Sequence, residues 1–389
     1  MITENPSAQR CSDAPGPRER RMNRVKRIVV KIGSSSLTGS NSNKLDRKVI
    51  NRLARDIAIL RDRGLEVAIV TSGAVAAGMG HLGLDVRPRA IADLQAAAAI
   101  GQNLLMNTYA AAFKRHGISI GQVLLTADDI LNDLQRYLNV RNTFRCLFSF
   151  GTVPVINEND SVATAELKLT IGENDSLAAY VANLIHAELL VILSDVDGLY
   201  TSYGRNGPTG ELINEVDEDT NIAGAMGKSN SRFGRGGMKT KIRAARLLML
   251  CGEMTVIANA RKHTLVDIVR GHEVGTFFVP SRKRMTSRKR WIGFASPCKG
   301  TVVIDKGTER AIRKLGKSLF STGVVDYKGE FEVGDVIRVA TDDNYEVARG
   351  LTRYNSLKIG SMLKILDNSE IVLNRECSEV INRGDLVLF

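Results

Sequence analysis

Strand-like apolar runs alternate with helical segments along most of this chain, and that alternation constrains the fold more than any other feature. Val25–Ile32 is a β-branched run that predicts a buried strand, Asp46–Arg63 has the spacing of an amphipathic helix that stops at Gly64, and Glu66–Thr71 predicts the next strand. The alternation continues as far as Thr276–Val279. Strands separated by helices predict parallel βαβ units, and strands with few polar residues predict a sheet covered on both faces. The expected fold class is therefore α/β, an αβα sandwich around a mainly parallel sheet.

The pattern changes near residue 300, where short strand-like runs follow one another with one predicted helix, Thr308–Leu315, between them. A chain of 389 residues is long enough for two or three domains. We therefore expect a disordered extension over 1–24, an α/β domain over 25–281, a basic linker over 282–298 and a small, mainly-β domain over 299–389.

A cluster of basic residues marks the expected boundary and contributes to the net charge of +12. Its members are Arg282, Lys283, Arg284, Arg288, Lys289 and Arg290. Two interpretations stay open. The cluster is either a solvated linker or an electrostatic contact with an anionic partner or a neighbouring domain.

Composition excludes several classes of protein. The hydrophobic fraction of 43% and the charged fraction of 25% are ordinary for a globular protein. No uninterrupted apolar run of about 18 residues predicts a membrane span. The polar N-terminus lacks the apolar core of a signal peptide, so we expect a cytoplasmic location. The five cysteines are scattered without C-x-x-C spacing, which favours neither a disulfide framework nor a zinc site.

Two small-residue turns follow predicted strands and are candidates for ligand binding. Lys31 precedes a Gly33-Ser34 turn, whose backbone N–H groups and nearby ammonium could cradle phosphate oxygens. Ser72 and Gly73 form a similar turn after the next strand, and open α/β sheets bind ligands at the carboxyl ends of their strands. The alternatives are a plain turn at Gly33 and a helix N-cap at Ser72.

Two clusters of carboxylates and amides, Asn157–Asp160 and Gly172–Asp175, flank one loop. Carboxylates can hold an ammonium group, and amides can orient a carboxylate. Asx turns and a helix cap are the alternative for each cluster taken alone. Because both clusters fall near the edge already marked by Ser72, together they favour a small polar substrate that carries an amine.

A third strand ends at Ser194-Asp195, and a Gly-rich segment with lysines, Arg235–Lys241, opens a later helix. Glycines, lysines and a helix N-terminus can form an anion site, with a Gly-rich hinge as the alternative. The five histidines form no ligand pair, so we expect catalysis that does not depend on histidine.

These motifs, in this order, resemble those of the amino acid kinase superfamily. The resemblance is carried by KIGSSS, TSGA, VINENDSVAT, GENDSLAA, LSDVDGLY and RGGMKTKI, and within the superfamily the paired END clusters resemble the glutamate 5-kinase family. The segments GTVVIDKGTERAI, FEVGDVIRV and ARGLTRYNS resemble a PUA domain. The resemblance runs from Val25 to Phe389 and implies the amino acid kinase fold followed by a PUA-like domain.

The resemblance also implies roles for individual residues. The implied catalytic residues are Lys31, Lys241, Asp175 and Asp195. The implied glutamate-binding residues are Ser72, Gly73, Asp160 and Asn174. The implied ATP-binding residues are Lys31, Gly33, Ser34, Ser194, Asp195, Arg235, Gly236, Gly237, Met238, Lys239, Thr240 and Lys241. No protein residue is assigned to a metal, because Mg²⁺ is expected to be held mainly by the ATP phosphates.

The implied reaction is phosphorylation of the γ-carboxylate of L-glutamate by ATP, the first step of proline biosynthesis. The resemblance further implies a homo-oligomer, feedback inhibition by proline, and glutamyl phosphate reductase as the functional partner. Two alternatives stay open: another enzyme of the same superfamily, or an RNA-binding protein that acts through the PUA-like domain. No membrane partner is expected.

Overall fold

The computed structural model describes residues 15–38, 45–126, 129–130, 134–162, 174–204, 207–220, 222, 237–281, 285–367 and 378–388. The helices of the N-terminal part are α1 (Pro17–Met22), α2 (Ser34–Leu37), α3 (Arg47–Asp62), α4 (Ala74–Leu82), α5 (Ile91–Lys114), α6 (Leu134–Ser149), α7 (Asn174–Leu184), α8 (Met238–Cys251) and α9 (Leu265–Val269). Its strands are β1 (Arg27–Ile32), β2 (Glu66–Val70), β3 (Ile120–Leu125), β4 (Val153–Glu158), β5 (Leu189–Ser194), β6 (Tyr203–Gly204), β7 (Gly207–Pro208), β8 (Glu215–Val216), β9 (Met254–Asn259) and β10 (Thr276–Phe278).

Within the described residues, eight of these strands form one sheet in the order β3-β4-β2-β1-β5-β9-β10-β8. Every neighbouring pair is parallel except β9 and β10, which are antiparallel. The small hairpin of β6 and β7 stands apart from this sheet. The mainly parallel α/β sheet predicted from the alternation is confirmed.

The sheet buries apolar side chains on both faces. Along β1, Val29 belongs to one hydrophobic cluster, while Ile28 and Val30 belong to another. Successive strand residues point to opposite faces, so the two clusters lie on opposite sides of the sheet. Helices α7 and α8 contribute to the first cluster, and α3 and α5 contribute to the second. The αβα layering expected from the apolar strands is therefore present.

Local chemistry sets the ends of the helices. Asp46 caps α3, because its carboxylate accepts a hydrogen bond from the Lys48 N–H at 3.0 Å.

Helices α4 and α5 pack closely where each has a glycine. A Cβ on Gly101 would lie 1.8 Å from the Ala74 carbonyl oxygen, so only glycine fits there.

The extension expected to be disordered over 1–24 is ordered in its C-terminal part. Residues Pro17–Met22 form α1, and the Arg18 guanidinium donates to the Val274 carbonyl at 2.8 Å and lies 5.1 Å from the centre of the Phe277 ring. Met22 is buried in the core. That expectation was wrong for this helix because a cation–π contact and an apolar anchor hold it to the domain. Residues 1–14 lie outside the described part.

The C-terminal domain is built on a second sheet, in the order β13-β11-β14-β15-β17. Its strands are β11 (Cys298–Ile304), β12 (Leu319–Phe320), β13 (Val324–Lys328), β14 (Val336–Ala340), β15 (Glu346–Leu351), β16 (Glu379–Ile381) and β17 (Leu386–Leu388). Helix α11 (Lys306–Leu315) extends the predicted one by two residues, whereas α12 (Ser356–Asp367) was not predicted. Val302, Val339 and Ile359 lie in this domain's own apolar cluster.

The segment between the two sheets contains α10 (Ser287–Arg290) and a π-helix (Trp291–Ala295). Arg288 pairs with Asp385 at 2.7 Å, and Lys289 donates to the Arg383 carbonyl at 3.3 Å. Arg290 pairs with Glu253 of the N-terminal part at 3.3 Å. For 285–290, contact with neighbouring domains is therefore the correct alternative, and the solvated linker is wrong; Arg282, Lys283 and Arg284 lie outside the described residues. No helix in the described ranges is long and apolar enough to cross a membrane.

Candidate active site

The parallel strands β1, β2, β4, β5 and β9 end at one edge of the sheet, and most candidate residues lie in the turns that follow them. Lys31 is in register with Val70, the last residue of β2, and with Ile192, which lies two residues before the end of β5. This is the edge at which open α/β sheets bind their ligands. The tertiary structure thus brings together motifs that are far apart in the sequence.

Two lysines from different elements converge on one buried carboxylate. The Lys31 Nζ lies 2.6 Å from Asp175 Oδ1, and the Lys241 Nζ lies 3.5 Å from Asp175 Oδ2. The Thr240 hydroxyl is 2.8 Å from the same Oδ2. Asp175 is fully buried, and Lys31 and Lys241 are 6% and 8% exposed. The aspartate therefore ties β1, α7 and α8 together at the predicted catalytic position.

Charge explains why these groups can be buried together. Burial raises the pKa of Asp175, but the Lys31 and Lys241 ammonium groups outweigh that effect and hold its pKa below the usual range. Asp175 is in the first turn of α7, where the helix dipole also favours a negative charge. Two ammonium groups beside one carboxylate are an arrangement that suits an anionic ligand.

The Gly33 turn lies beside the Lys31 ammonium. A Cβ on Gly33 would be 3.6 Å from Lys31 Nζ, and the Gly33 N–H donates to the Leu193 carbonyl at 3.4 Å. Ser34 then opens α2. The turn therefore packs against the end of β5, where Ser194 and Asp195 follow.

The Ser72 turn connects β2 to α4 and touches the end of β1. The Ser72 hydroxyl donates to the Ile32 carbonyl at 2.9 Å. Gly73, not Ser72, occupies the N-cap of α4, with a φ of 95° that favours glycine. The alternative of an N-cap at Ser72 is therefore wrong, because the Ser72 side chain is used to join two strand ends.

Amide side chains form a hydrogen-bonded chain on the side of the site where substrate binding was predicted. The Asn174 amide donates to the Thr71 carbonyl at 2.7 Å and to Asn157 Oδ1 at 3.1 Å. The Asn157 amide in turn donates to Gln102 Oε1 at 2.9 Å. Asp160 lies in the turn directly after β4. The first END cluster supplies Asn157 and Asp160, and the second supplies Asn174 and Asp175, so both clusters reach the same sheet edge.

Sequence reasoning gave Asn157 no role and missed Gln102. Asn157 belongs to the first END cluster and lies near the end of β4, so its position at a strand end could have indicated a role in the site. Gln102 lies within the long α5, and the sequence alone did not indicate that this helix passes over the end of β4.

A second polar group lies where β5 and β9 end side by side. The Ser194 hydroxyl donates to Asp195 Oδ1 at 3.0 Å, and the Asn259 amide donates to the Asp195 carbonyl at 3.3 Å. The same amide donates to Asp197 Oδ1 at 2.8 Å, and Lys262 pairs with Asp197 at 2.7 Å. Asn259 and Lys262 were not predicted, although Asn259 is the last residue of a parallel strand and the strand-end rule could have found it.

The predicted glycine- and lysine-containing segment is described only from Gly237 onward. Gly237 caps α8, Met238 packs against the core, and Lys239 is exposed. Thr240 and Lys241 both reach Asp175. Arg235 and Gly236 lie outside the described residues. The first turn of α8 therefore contributes one hydroxyl and one ammonium to the buried cluster.

Comparison with known proteins identifies both domains of this chain. The family model described as "Amino acid kinase family" matches residues 26–259, and that of the PUA domain matches residues 300–366. Three curated relatives named glutamate 5-kinase are each 42% identical to this chain: those of Carboxydothermus hydrogenoformans, Thermoanaerobacter sp. and Pseudomonas putida. The matches cover 94%, 93% and 94% of this chain and 98%, 97% and 98% of the respective relatives.

The match therefore extends over both domains and nearly the full length of each relative. With the kinase-type fold, the PUA domain and this degree of identity together, the chain belongs to the glutamate 5-kinase family of amino acid kinases.

Proposed function

We propose that this chain transfers the γ-phosphoryl group of ATP to the γ-carboxylate of L-glutamate, giving L-glutamyl 5-phosphate and ADP in the first step of proline biosynthesis. The observation that carries the proposal is the pair of ammonium groups, Lys31 and Lys241, held on the single buried carboxylate of Asp175. Such an arrangement stabilises negative charge on a transferring phosphoryl group from two sides.

The chemistry requires charge compensation rather than a base. The γ-carboxylate of glutamate is already ionised at neutral pH, so no proton must be removed before attack. The obstacle is repulsion between this carboxylate and the phosphate oxygens, which is about 4 kcal/mol for two unit charges about 4 Å apart at an effective dielectric constant of about 20. Preorganised positive groups are the usual solution in phosphoryl transfer.

In the proposed mechanism, each residue of the buried cluster has one task. Lys31 and Lys241 approach the transferring group and compensate its charge as the bond to the leaving phosphate breaks. Asp175 holds both ammonium groups in position, and the Thr240 hydroxyl supports the same carboxylate. Asp195, joined to Ser194, borders the nucleotide side together with Gly33, Ser34 and the Gly237–Lys241 turn. Because their partners already hold these groups, little reorganisation is needed during the reaction.

On the substrate side, we assign glutamate to Ser72, Asp160 and Asn174. Both N–H bonds of the Asn174 amide are used within the protein, by the Thr71 carbonyl and by Asn157, so its oxygen is the atom available as an acceptor. An acceptor suits the substrate ammonium, which the Asp160 carboxylate would hold as an ion pair. This pairing would distinguish glutamate from acceptors whose amine is blocked.

Magnesium fits this site as a companion of ATP. Among the described residues, no three side chains of His, Cys, Asp or Glu come together as a metal site would require. Asp175 is engaged by two lysines, which leaves Asp195 as the carboxylate at the nucleotide edge. Mg²⁺ on the ATP phosphates would supply further positive charge, and it usually keeps several water ligands.

We further propose the wider context that the family resemblance implies: a cytoplasmic homo-oligomer that proline inhibits. The product is an acyl phosphate whose own α-amine can attack the γ-carbonyl and close a five-membered ring. An enzyme that reduces the acyl phosphate should therefore act promptly, and glutamyl phosphate reductase is the proposed partner.

An acceptor screen tests the proposed reaction. Purified protein is given ATP, Mg²⁺ and hydroxylamine with L-glutamate, N-acetyl-L-glutamate, L-aspartate or UMP. We expect ADP release and hydroxamate formation with L-glutamate alone. Release of ADP with another acceptor would assign the chain to a different reaction. Retention of RNA on filters without any kinase activity would favour the RNA-binding alternative.

The lysines are tested in the same assay. Lys31→Ala and Lys241→Ala are each expected to lower kcat by about 10²–10³-fold, the usual effect of removing one preorganised charge-stabilising group. Lys48→Ala removes an exposed lysine from α3 and serves as the control. Turnover near the wild-type value in either variant would remove that lysine from the mechanism.

A further inference from the structure

A buried ion cluster joins the C-terminal domain to the helix that carries Lys241. Glu346, the first residue of β15, pairs with Arg243 of α8 and with Arg349 of its own strand, the latter at 2.7 Å. The side chains of Glu346 and Arg349 are 3% and 2% exposed, whereas that of Arg243 is 33% exposed. Glu346 therefore bridges an arginine of its own domain and an arginine of the other domain.

The cluster also reaches the connecting segment. Arg349 donates to the Gly293 carbonyl of the π-helix at 3.2 Å. Burial lowers the pKa of Arg349, but the charge of Glu346 outweighs this effect and raises the pKa well above its ordinary value. The cluster thus joins β15, the connecting segment and α8, the helix whose first turn supplies Lys241 to the buried lysine–aspartate site.

Helix geometry places Arg243 and Lys241 on opposite faces of α8. Each residue of an α-helix advances by about 100°, so a step of two residues rotates the side-chain direction by about 200°. Lys241 contacts Asp175, and Arg243 contacts Glu346. The first turns of α8 are therefore held from two sides, and a rotation of the helix that released Arg243 would also displace Lys241.

We propose that Glu346 of the C-terminal domain is a positioning residue for phosphoryl transfer, because it holds Arg243 and thereby fixes α8 and the Lys241 ammonium beside Asp175. The inference rests on the proposed kinase function and adds to it a contribution from the C-terminal domain, whose described residues include none that we assign to the site itself. It accounts for a buried carboxylate that is shared between two arginines instead of being paired with one.

Arg243→Met is the main test. It removes the inter-domain pair but leaves Glu346 paired with Arg349, so no buried charge loses its last partner. We expect kcat to fall by about tenfold to a hundredfold, since small displacements of catalytic groups have effects of that size. The KM for glutamate should stay within about twofold of wild type, because Ser72, Asp160 and Asn174, which we assign to glutamate, lie outside α8. Arg243→Lys, which can still reach Glu346 with a positive charge, should restore most of kcat.

The matched control is Arg288→Met. This change removes the ion pair between Arg288 of the connecting segment and Asp385 of the C-terminal domain, and it does not touch α8. It should leave kcat unchanged. The double variant, Arg243→Met with Glu346→Gln, should have a kcat no lower than that of whichever single variant is less active. The reason is that both changes break the same link between Arg243 and Glu346. An additive loss would overturn the proposal.

Other outcomes separate the inference from the proposed function. If the wild type releases ADP with glutamate and Arg243→Met has the same kcat, the positioning role is wrong and the proposed function stands. If the wild type shows no glutamate-dependent release, the proposed function fails and the inference fails with it. If Arg243→Met does not fold, Glu346→Asp replaces it. This variant keeps the buried charge but draws the carboxylate back by one methylene, and an unchanged kcat would overturn the proposal.

Discussion

Replacing Asp175 with asparagine tests the centre of the site directly, since this change removes one negative charge and keeps nearly the same shape. Coulomb's law at an effective dielectric constant of about 20 gives an attraction of about 6 kcal/mol to Lys31 at 2.6 Å and about 5 kcal/mol to Lys241 at 3.5 Å. Desolvation offsets most of this attraction in the folded protein. Removing one partner from a buried ion pair typically costs about 3–5 kcal/mol of the free energy of unfolding.

The loss of kcat in Asp175→Asn should be larger than the loss of folded protein alone would cause. In Asp175→Asn the two ammonium groups face each other without the intervening carboxylate, so at least one should move away. Each misplaced donor costs about 10²–10³-fold in turnover. We therefore expect kcat to fall by about 10³-fold or more, measured as glutamate-dependent ADP release in a coupled assay, with a urea titration giving the loss of stability.

Asp197→Asn is the matched control. Asp197 pairs with Lys262 at 2.7 Å, as Asp175 does with Lys31, but the Lys262 side chain is 60% exposed. Because solvent screens an exposed pair, its loss should lower the free energy of unfolding much less than the loss of the Asp175 carboxylate does. A kcat for Asp175→Asn within tenfold of wild type would refute the view that this carboxylate orients the two lysines. Equal stability losses in both variants would refute the argument from burial.

Three further predictions follow from the same structure. Asp160→Ala should raise the KM for glutamate and leave the KM for ATP unchanged, because we assign this carboxylate to the substrate ammonium; steady-state kinetics showing the reverse would invert the site map. Glu346 is buried, which raises its pKa, but Arg349 and Arg243 outweigh that effect and hold it at about 2, below the ordinary value of 4.5. Its contribution to stability is therefore complete above pH 4.5 and should be lost as the pH falls from 4.5 towards 2, so urea midpoints should decline there more steeply in the wild type than in Glu346→Gln. Gly101→Ala should destabilise the domain by about 1–3 kcal/mol through the clash with Ala74, whereas Gly16→Ala, where a Cβ meets nothing within 4 Å, should not change the melting temperature.

Much of the fold could be predicted because the hydrophobic pattern is a local property. The strand expected over Val25–Ile32 is β1 (Arg27–Ile32), and the helix expected over Asp46–Arg63 is α3 (Arg47–Asp62) with Asp46 as its cap. Differences of one or two residues reflect capping and strand pairing, which periodicity does not specify. Helix α12 (Ser356–Asp367) was missed in a domain where short strands dominate the pattern.

The residues of the candidate site also divide into those that the local sequence indicates and those that it does not. Lys31, Ser72 and Asp175 could be predicted because each stands beside a glycine or a cluster of polar residues at the end of an apolar run, which is a signal within a few residues of sequence. Gln102 and Lys262 carry no such signal. They belong to the site only because a helix crosses the end of β4 and because Asp197 lies near the end of β9.

The sequence by itself determined the alternation of strands and helices, the strand-end turns at which ligand binding is predicted and the motifs that identify the family, since all of these depend on residues that are neighbours along the chain. Only the tertiary structure decided that Asp175 is shared by Lys31 and Lys241, that α1 is anchored by Arg18, and that Glu346 reaches across to Arg243. The physical reason is that a buried charge requires a partner within a few ångströms, and the fold, not the sequence spacing, determines which charge lies there.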